Sequence, residues 1–167
     1  MKTVYVIRHA KSSWDDFNLS DFERPLNERG KRDAPRMGVR LKVKGILPNV
    51  IIASPAKRAF STAKRLAKVI GFPKDKIKTD RELYHAGEET ILSVIRSIKN
   101  KHATAFIVGH NPGLTDFVNT LRNDDMDIEN IPTCGIVGLE IDIEDWNQLQ
   151  WGTARVTWFD YPKSKED

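Results

Sequence analysis

A chain of 167 residues, 40% hydrophobic and 30% charged, has the length of one domain and the balance of an ordinary soluble globular protein. No apolar run approaches membrane-spanning length, the lone Cys134 excludes an internal disulfide, and His9, His85, His102 and His110 are too scattered for metal-ligand spacing. The net charge of +4 and pI near 9.2 allow an anionic partner, but no aromatic-basic platform of the kind that binds nucleic acid is present.

The first element is the run Val-Tyr-Val-Ile at residues 4–7, apolar on both faces as in a buried parallel strand, which stops on Arg8-His9. It is too short for a signal peptide and leads straight into that pair, so a cytoplasmic protein is expected, in keeping with one unpaired cysteine. Residues 11–26 form a long polar loop that carries Trp14 and Phe17, and its place directly after Arg8-His9 favours a functional role. Trp14 either lines a pocket or anchors the loop, and Arg24 pairs with Asp21 or Glu23 nearby.

Asn27 caps a helix with Ala34, Met37, Gly38 and Leu41 on one face; Pro35 conflicts with that pattern and predicts a kink or a restart near Ala34, and Gly45 ends it. The basic residues between Arg29 and Lys44 read as a solvated face. Residues 50–53, Val-Ile-Ile-Ala, are a second buried strand. Ser54 as N-cap and Pro55 as first helical residue then open a helix with Arg58 in its first turn. Phe60, Ala63, Leu66, Ala67 and Ile70 form its buried stripe before Gly71. A short strand at 77–79 and a helix over 87–99 follow. Residues 105–109 make a further buried strand ending on His110, with Asn111 as cap and Pro112 as first residue of the next helix. Alternation over 135–143 and 152–159 gives two late strands, joined as a hairpin around 144–148, and residues 162–167 are a tail expected to fray.

This order predicts one three-layer α/β/α domain over residues 1–161, with a mostly parallel six-stranded sheet. Three strands end in arginine or histidine, and two of them feed helix N-termini, where anions are favoured. If these strands are neighbours, Arg8, His9, Arg58 and His110 meet beyond the carboxyl edge of the sheet, in a pocket suited to a phosphoryl group.

The ordered motifs Arg-His-Ala-Lys-Ser-Ser-Trp from Arg8, Arg-Pro-Leu-Asn-Glu-Arg-Gly from Arg24, Ser-Pro-Ala-Lys-Arg-Ala from Ser54 and Gly-His-Asn-Pro from Gly109 resemble the histidine phosphatase superfamily, most of all its SixA-type phosphohistidine phosphatases. The likeness runs from Val4 to about Phe159. The commoner signature has glycine where this chain has Ala10, a substitution familiar in the SixA-like branch. The resemblance implies a phosphoglycerate-mutase-like fold and a metal-independent, cofactor-free route. In that route His9 takes the phosphoryl group, water then hydrolyses the phosphohistidine, and Arg8, Arg58 and His110 hold the phosphoryl oxygens. Only about two dozen residues separate Gly71 from Ile95, so the cap insertion of larger relatives is not expected.

Neutral His9 would act as nucleophile with its second ring nitrogen held by an acceptor, and guanidinium forks suit phosphoryl oxygens. Ser13 is a further candidate for phosphate. The proton donor is less defined: His85 falls where larger relatives place a glutamate, with Glu82, Glu88 and Glu89 as alternatives. A phosphohistidine substrate can carry its own proton on the leaving imidazole, so a missing strong acid favours a P–N bond or a good leaving group. The expected partner is a phosphorylated protein, such as a histidine-phosphotransfer domain, or else a small phosphate ester; a non-catalytic phosphate-binding module is the remaining alternative.

Overall fold

The computed structural model describes residues 1–164. A six-stranded sheet contains β1 (Lys2–Arg8), β2 (Val50–Ala53), β3 (Lys78–Thr79), β4 (Thr104–Gly109), β5 (Ile136–Ile141) and β6 (Arg155–Asp160), in the order β3-β2-β4-β1-β5-β6. The first four are mutually parallel, while β5 runs antiparallel to β1 and β6 antiparallel to β5. The helices are α1 (Glu28–Val43), α2 (Lys57–Ile70), α3 (Glu88–Arg96) and α4 (Gly113–Leu121). Among the described residues, no helix is long and apolar enough to cross a membrane. Between α2 and α3 lie only β3 and two 3₁₀ turns, so no large cap is inserted there.

The period-2 alternation of the strands sorts the core into two layers. Val4, Val6, Ala105 and Ile107 pack with Ile91, Ile95, Leu114 and Phe117 beneath α3 and α4. Ile7, Phe106, Val108, Ile51 and Ala53 pack with Met37, Leu41, Ala63 and Leu66 beneath α1 and α2. The chain therefore leaves β1 towards one face of the sheet and leaves β4 towards the other. The carboxyl ends of these adjacent strands open a crevice at a topological switch point, the place where open α/β sheets bind ligands.

Several local expectations are corrected. Helix α1 runs through Pro35 without restarting; the carbonyl deprived of its partner belongs to Lys31, an exposed residue that water can reach. The cap of α2 is Ala56, two residues beyond Ser54, because the Ser54 hydroxyl accepts the Ala56 N–H and is used within the site. Phe60 is only partly buried, and Ala59 and Thr62 complete the stripe in its place. Helix α4 begins at Gly113, with Asn111 accepting from the Thr115 N–H and hydroxyl. The link from β5 to β6 holds a 3₁₀ turn at Trp146–Gln148 that buries Trp146 completely, so it is no simple hairpin loop. In the tail, Pro162 is buried and Arg40 donates to the Tyr161 and Pro162 carbonyls, while residues 165–167 lie outside the described residues.

Candidate active site

His9 follows β1 directly and is strapped across the sheet by its own backbone. Its N–H donates to Gly109 at the end of β4, and its carbonyl accepts from Cys134 before β5. The Ala10 N–H donates to Thr62 Oγ1 on α2, which in turn donates to the Arg58 carbonyl one turn earlier. Four elements thus fix the backbone around one imidazole. His9 and His110 lie with ring centroids 5.2 Å apart, within reach of one small ligand, and both are buried, at 8% and 7% exposure.

The hydrogen bonds set the tautomers. His9 Nδ1 donates to the Ala10 carbonyl at 2.7 Å, which leaves the Nε2 lone pair uncommitted. Burial lowers the His9 pKa to about 4; Arg58, Arg8 and Arg24 add to the drop, and the Ala10 carbonyl opposes it. At neutral pH the ring is therefore uncharged, with its Nε2 lone pair available. His110 is lowered to about 3, first by burial and then by His9, Arg58 and His85, with Asp21 opposing. Its Nε2 lies 2.8 Å from Ser54 Oγ. The Ser54 oxygen already accepts the Ala56 N–H. When Ser54 donates its proton to His110 Nε2, the hydrogen of the neutral ring sits on Nδ1. That Nδ1 is buried without a protein partner, and so is Arg8 Nε. Arg8 Nη1 donates to the Ile131 carbonyl at 2.9 Å, which holds the guanidinium in place.

Arg58 joins the same cluster but is not free. Its Nη1 donates to the Asp21 carbonyl at 2.6 Å and its Nη2 to Asp21 Oδ2 at 2.9 Å. Asp21 also accepts from Tyr84 Oη at 2.6 Å and from Arg24 Nη1 at 3.0 Å. Burial raises the Asp21 pKa, but these hydrogen bonds outweigh it and hold the carboxyl well below the usual carboxylate range. The ion pair of Arg24 with Asp21 agrees with the sequence. The guanidinium of Arg24 also covers the Trp14 ring at 3.2 Å and donates to the Ser13 carbonyl, so Trp14 anchors its loop while remaining largely exposed.

Ser13 is tied into that loop, its N–H donating to the Pro25 carbonyl and its hydroxyl oxygen accepting from the Asp15 N–H, which does not use its hydroxyl hydrogen. His85 is exposed, with a left-handed backbone at φ 60°, and its ring lies 3.9 Å from Tyr84, whose own ring sits 5.5 Å from His110. It therefore stands at the rim, one aromatic ring away from the buried pair. Of the alternatives, Glu88 is engaged by the Thr120 hydroxyl of α4, whereas Glu82 and Glu89 are exposed. Sequence reasoning overlooked Tyr84 and Thr62, took Ser54 only for a cap and gave Asp21 only a local ion pair. Each acts through a contact between segments distant in the chain, which no local pattern displays.

The sequence model of the histidine phosphatase superfamily (branch 1) matches residues 4–87, a span that includes Arg8, His9, Arg58 and His85. A chloroplastic, uncharacterised protein of Arabidopsis thaliana is 29% identical over 88% of this chain and 70% of its own length. Among solved structures, a protein from Agrobacterium tumefaciens provisionally named as the phosphohistidine phosphatase SixA superposes with a TM-score of 0.80 at 26% identity, covering 96% of this chain and 98% of the other. The protein histidine phosphatase SixA complexed with tungstate gives 0.81 at 20% identity, over 96% and 97% of the two chains, a likeness of fold.

Proposed function

Because the chain belongs to the histidine phosphatase superfamily, we propose that it is a metal-independent phosphatase that removes phosphoryl groups from phosphohistidine on a protein, through a phosphohistidine formed on His9. The observation that carries this reading is the pair of buried, unpartnered polar atoms beside a neutral imidazole, Arg8 Nε and His110 Nδ1. Buried polar groups without partners are rare and call for an explanation. A phosphoryl group held between the two would accept a hydrogen bond from each and present phosphorus to His9 Nε2.

This reading implies the following steps. His9 Nε2 attacks phosphorus as the bond to the leaving group breaks, and the electron pair departs with the leaving atom. Three guanidinium groups act on His9, against the single carboxylate of Asp21, which leaves two positive charges in excess for a phosphoryl dianion. Water then attacks the phosphorylated His9 and releases inorganic phosphate. The leaving imidazole of a phosphohistidine can bring its own proton. For a more basic leaving group the reading assigns the proton to His85 at the rim. The short connection between α2 and α3 supports access by a protein-borne phosphate.

A panel of phosphorylated histidine-phosphotransfer domain, free phosphohistidine, an aryl phosphate and a sugar phosphate, each assayed with chelator present, tests the reading. Turnover of phosphohistidine that survives chelation and vanishes in a folded His9→Ala variant is expected. Preference for the sugar phosphate would establish the small-ester alternative, and tight phosphate binding without turnover would establish a binding module.

A further inference from the structure

The carboxylate of Asp21 is the most heavily used acceptor near the candidate site. It lies in a 3₁₀ turn, Asp21–Glu23, within the loop that links β1 to α1. Three side chains from separate parts of the chain converge on it: Arg58 from the first turn of α2, Tyr84 from the segment before α3, and Arg24 from its own loop. Arg58 is also held by the Asp21 main-chain carbonyl, so the residue grips both terminal nitrogens of one guanidinium. Arg58 is 5% exposed. A buried guanidinium without a paired acceptor is costly, and a carboxylate fixes its plane more tightly than a neutral group does. The hydrogen bonds to Asp21 engage two of the five N–H groups of Arg58 and leave others with which to meet a ligand.

We propose that Asp21 is a positioning residue, which fixes the plane of the Arg58 guanidinium so that its remaining donors meet the phosphoryl group at the geometry of transfer. The inference rests on the phosphatase reading and adds to it a residue that touches neither substrate nor His9. Asp21 also separates the like charges of Arg58 and Arg24, which it bridges through its two carboxylate oxygens. Its side chain is 40% exposed and its main-chain contact to Arg58 does not depend on the carboxylate, so Asp21→Asn is expected to fold.

The test compares the full-length protein with Asp21→Asn and Asp21→Glu, using an aryl phosphate as substrate and orthovanadate and inorganic phosphate as inhibitors. Misalignment of a transition-state donor predicts that Asp21→Asn lowers kcat and vanadate affinity together, by about tenfold or more. Affinity for tetrahedral phosphate should change by less than about threefold, because the added positive charge offsets the lost alignment. The melting temperature should stay close to that of the wild type, and Asp21→Glu, which restores the charge, should recover part of kcat. Wild-type kcat in Asp21→Asn would overturn the inference while leaving the phosphatase reading intact. Equal losses of phosphate and vanadate affinity, accompanied by a lower melting temperature, would reduce Asp21 to a structural residue. A wild-type protein that neither hydrolyses the ester nor binds vanadate would overturn both readings.

Discussion

At the scale of single residues, the site depends on an imidazole kept neutral by its surroundings. Burial, followed by the fields of Arg58, Arg8 and Arg24, lowers the His9 pKa from 6.5 to about 4. In the proposed route only the neutral ring attacks, so activity should rise as pH increases through about 4 and then stay level across the range where an ordinary histidine titrates. The measurement is the pH dependence of kcat/KM for an aryl phosphate, expressed for its dianion. An acid limb near the ordinary value of 6.5 would mean that His9 is not held neutral in the free enzyme. His85 gives a second residue-scale expectation. Its ring lies against Tyr84 at the rim of the site, and its proposed role is to protonate a departing group. His85→Ala should slow basic leaving groups by about a hundredfold and leave the best aryl leaving groups nearly unchanged. Equal effects across a leaving-group series would remove His85 from proton transfer.

At the scale of elements, two close approaches of backbone hold loops against the helices α1 and α4. A Cβ on Gly30, in the first turns of α1, would lie 2.2 Å from the Lys11 carbonyl, just past His9 and Ala10. A Cβ on Gly113, at the start of α4, would lie 1.9 Å from the Ala86 carbonyl, next to His85. Neither glycine has a positive φ, so the need is for space rather than for an unusual conformation. Gly30→Ala and Gly113→Ala should each cost about 1–3 kcal/mol by urea unfolding. Gly113→Ala should in addition lower turnover, because the segment displaced carries Tyr84 and His85. Unchanged midpoints would mean that these contacts yield without strain.

For the molecule as a whole, the buried imidazoles make stability depend on pH. The pKa values of His9 and His110 are lowered from 6.5 to about 4 and about 3. Below 6.5 the unfolded chain binds protons that the folded chain refuses, so stability is complete above that value and falls as pH drops towards 4. At about 1.4 kcal/mol per unit, the lowered values are worth on the order of 3 kcal/mol for His9 and about 5 kcal/mol for His110 across their intervals. Urea midpoints should therefore fall between about pH 7 and about pH 4.5, with a shallower fall in His9→Ala. A flat profile would show that the imidazoles charge without unfolding the chain. Burial and the nearby lysines lower the His102 pKa as well, so it adds to the same slope, and the comparison with His9→Ala isolates the share of the buried pair.

The amino-acid sequence by itself determined the alternation of strands and helices, the two-sided burial of the central strands and the placement of Arg8, His9, Arg58 and His110 at the ends or exits of three of them. These signals are local: a run of β-branched residues, a helical stripe and the residue that follows a strand are all visible within a few positions. Helix starts were legible only to within one or two residues, because Ser54 and Asn111 give their side chains to partners other than the nearest helical N–H. The tertiary structure alone decided which face each crossover takes, and with it the switch point between β1 and β4. It also decided that Asp21, Tyr84 and Arg58, spread over more than sixty positions of the chain, share one carboxylate. Such contacts depend on strand order and loop closure, which are properties of the packed chain and leave no periodic trace in the sequence.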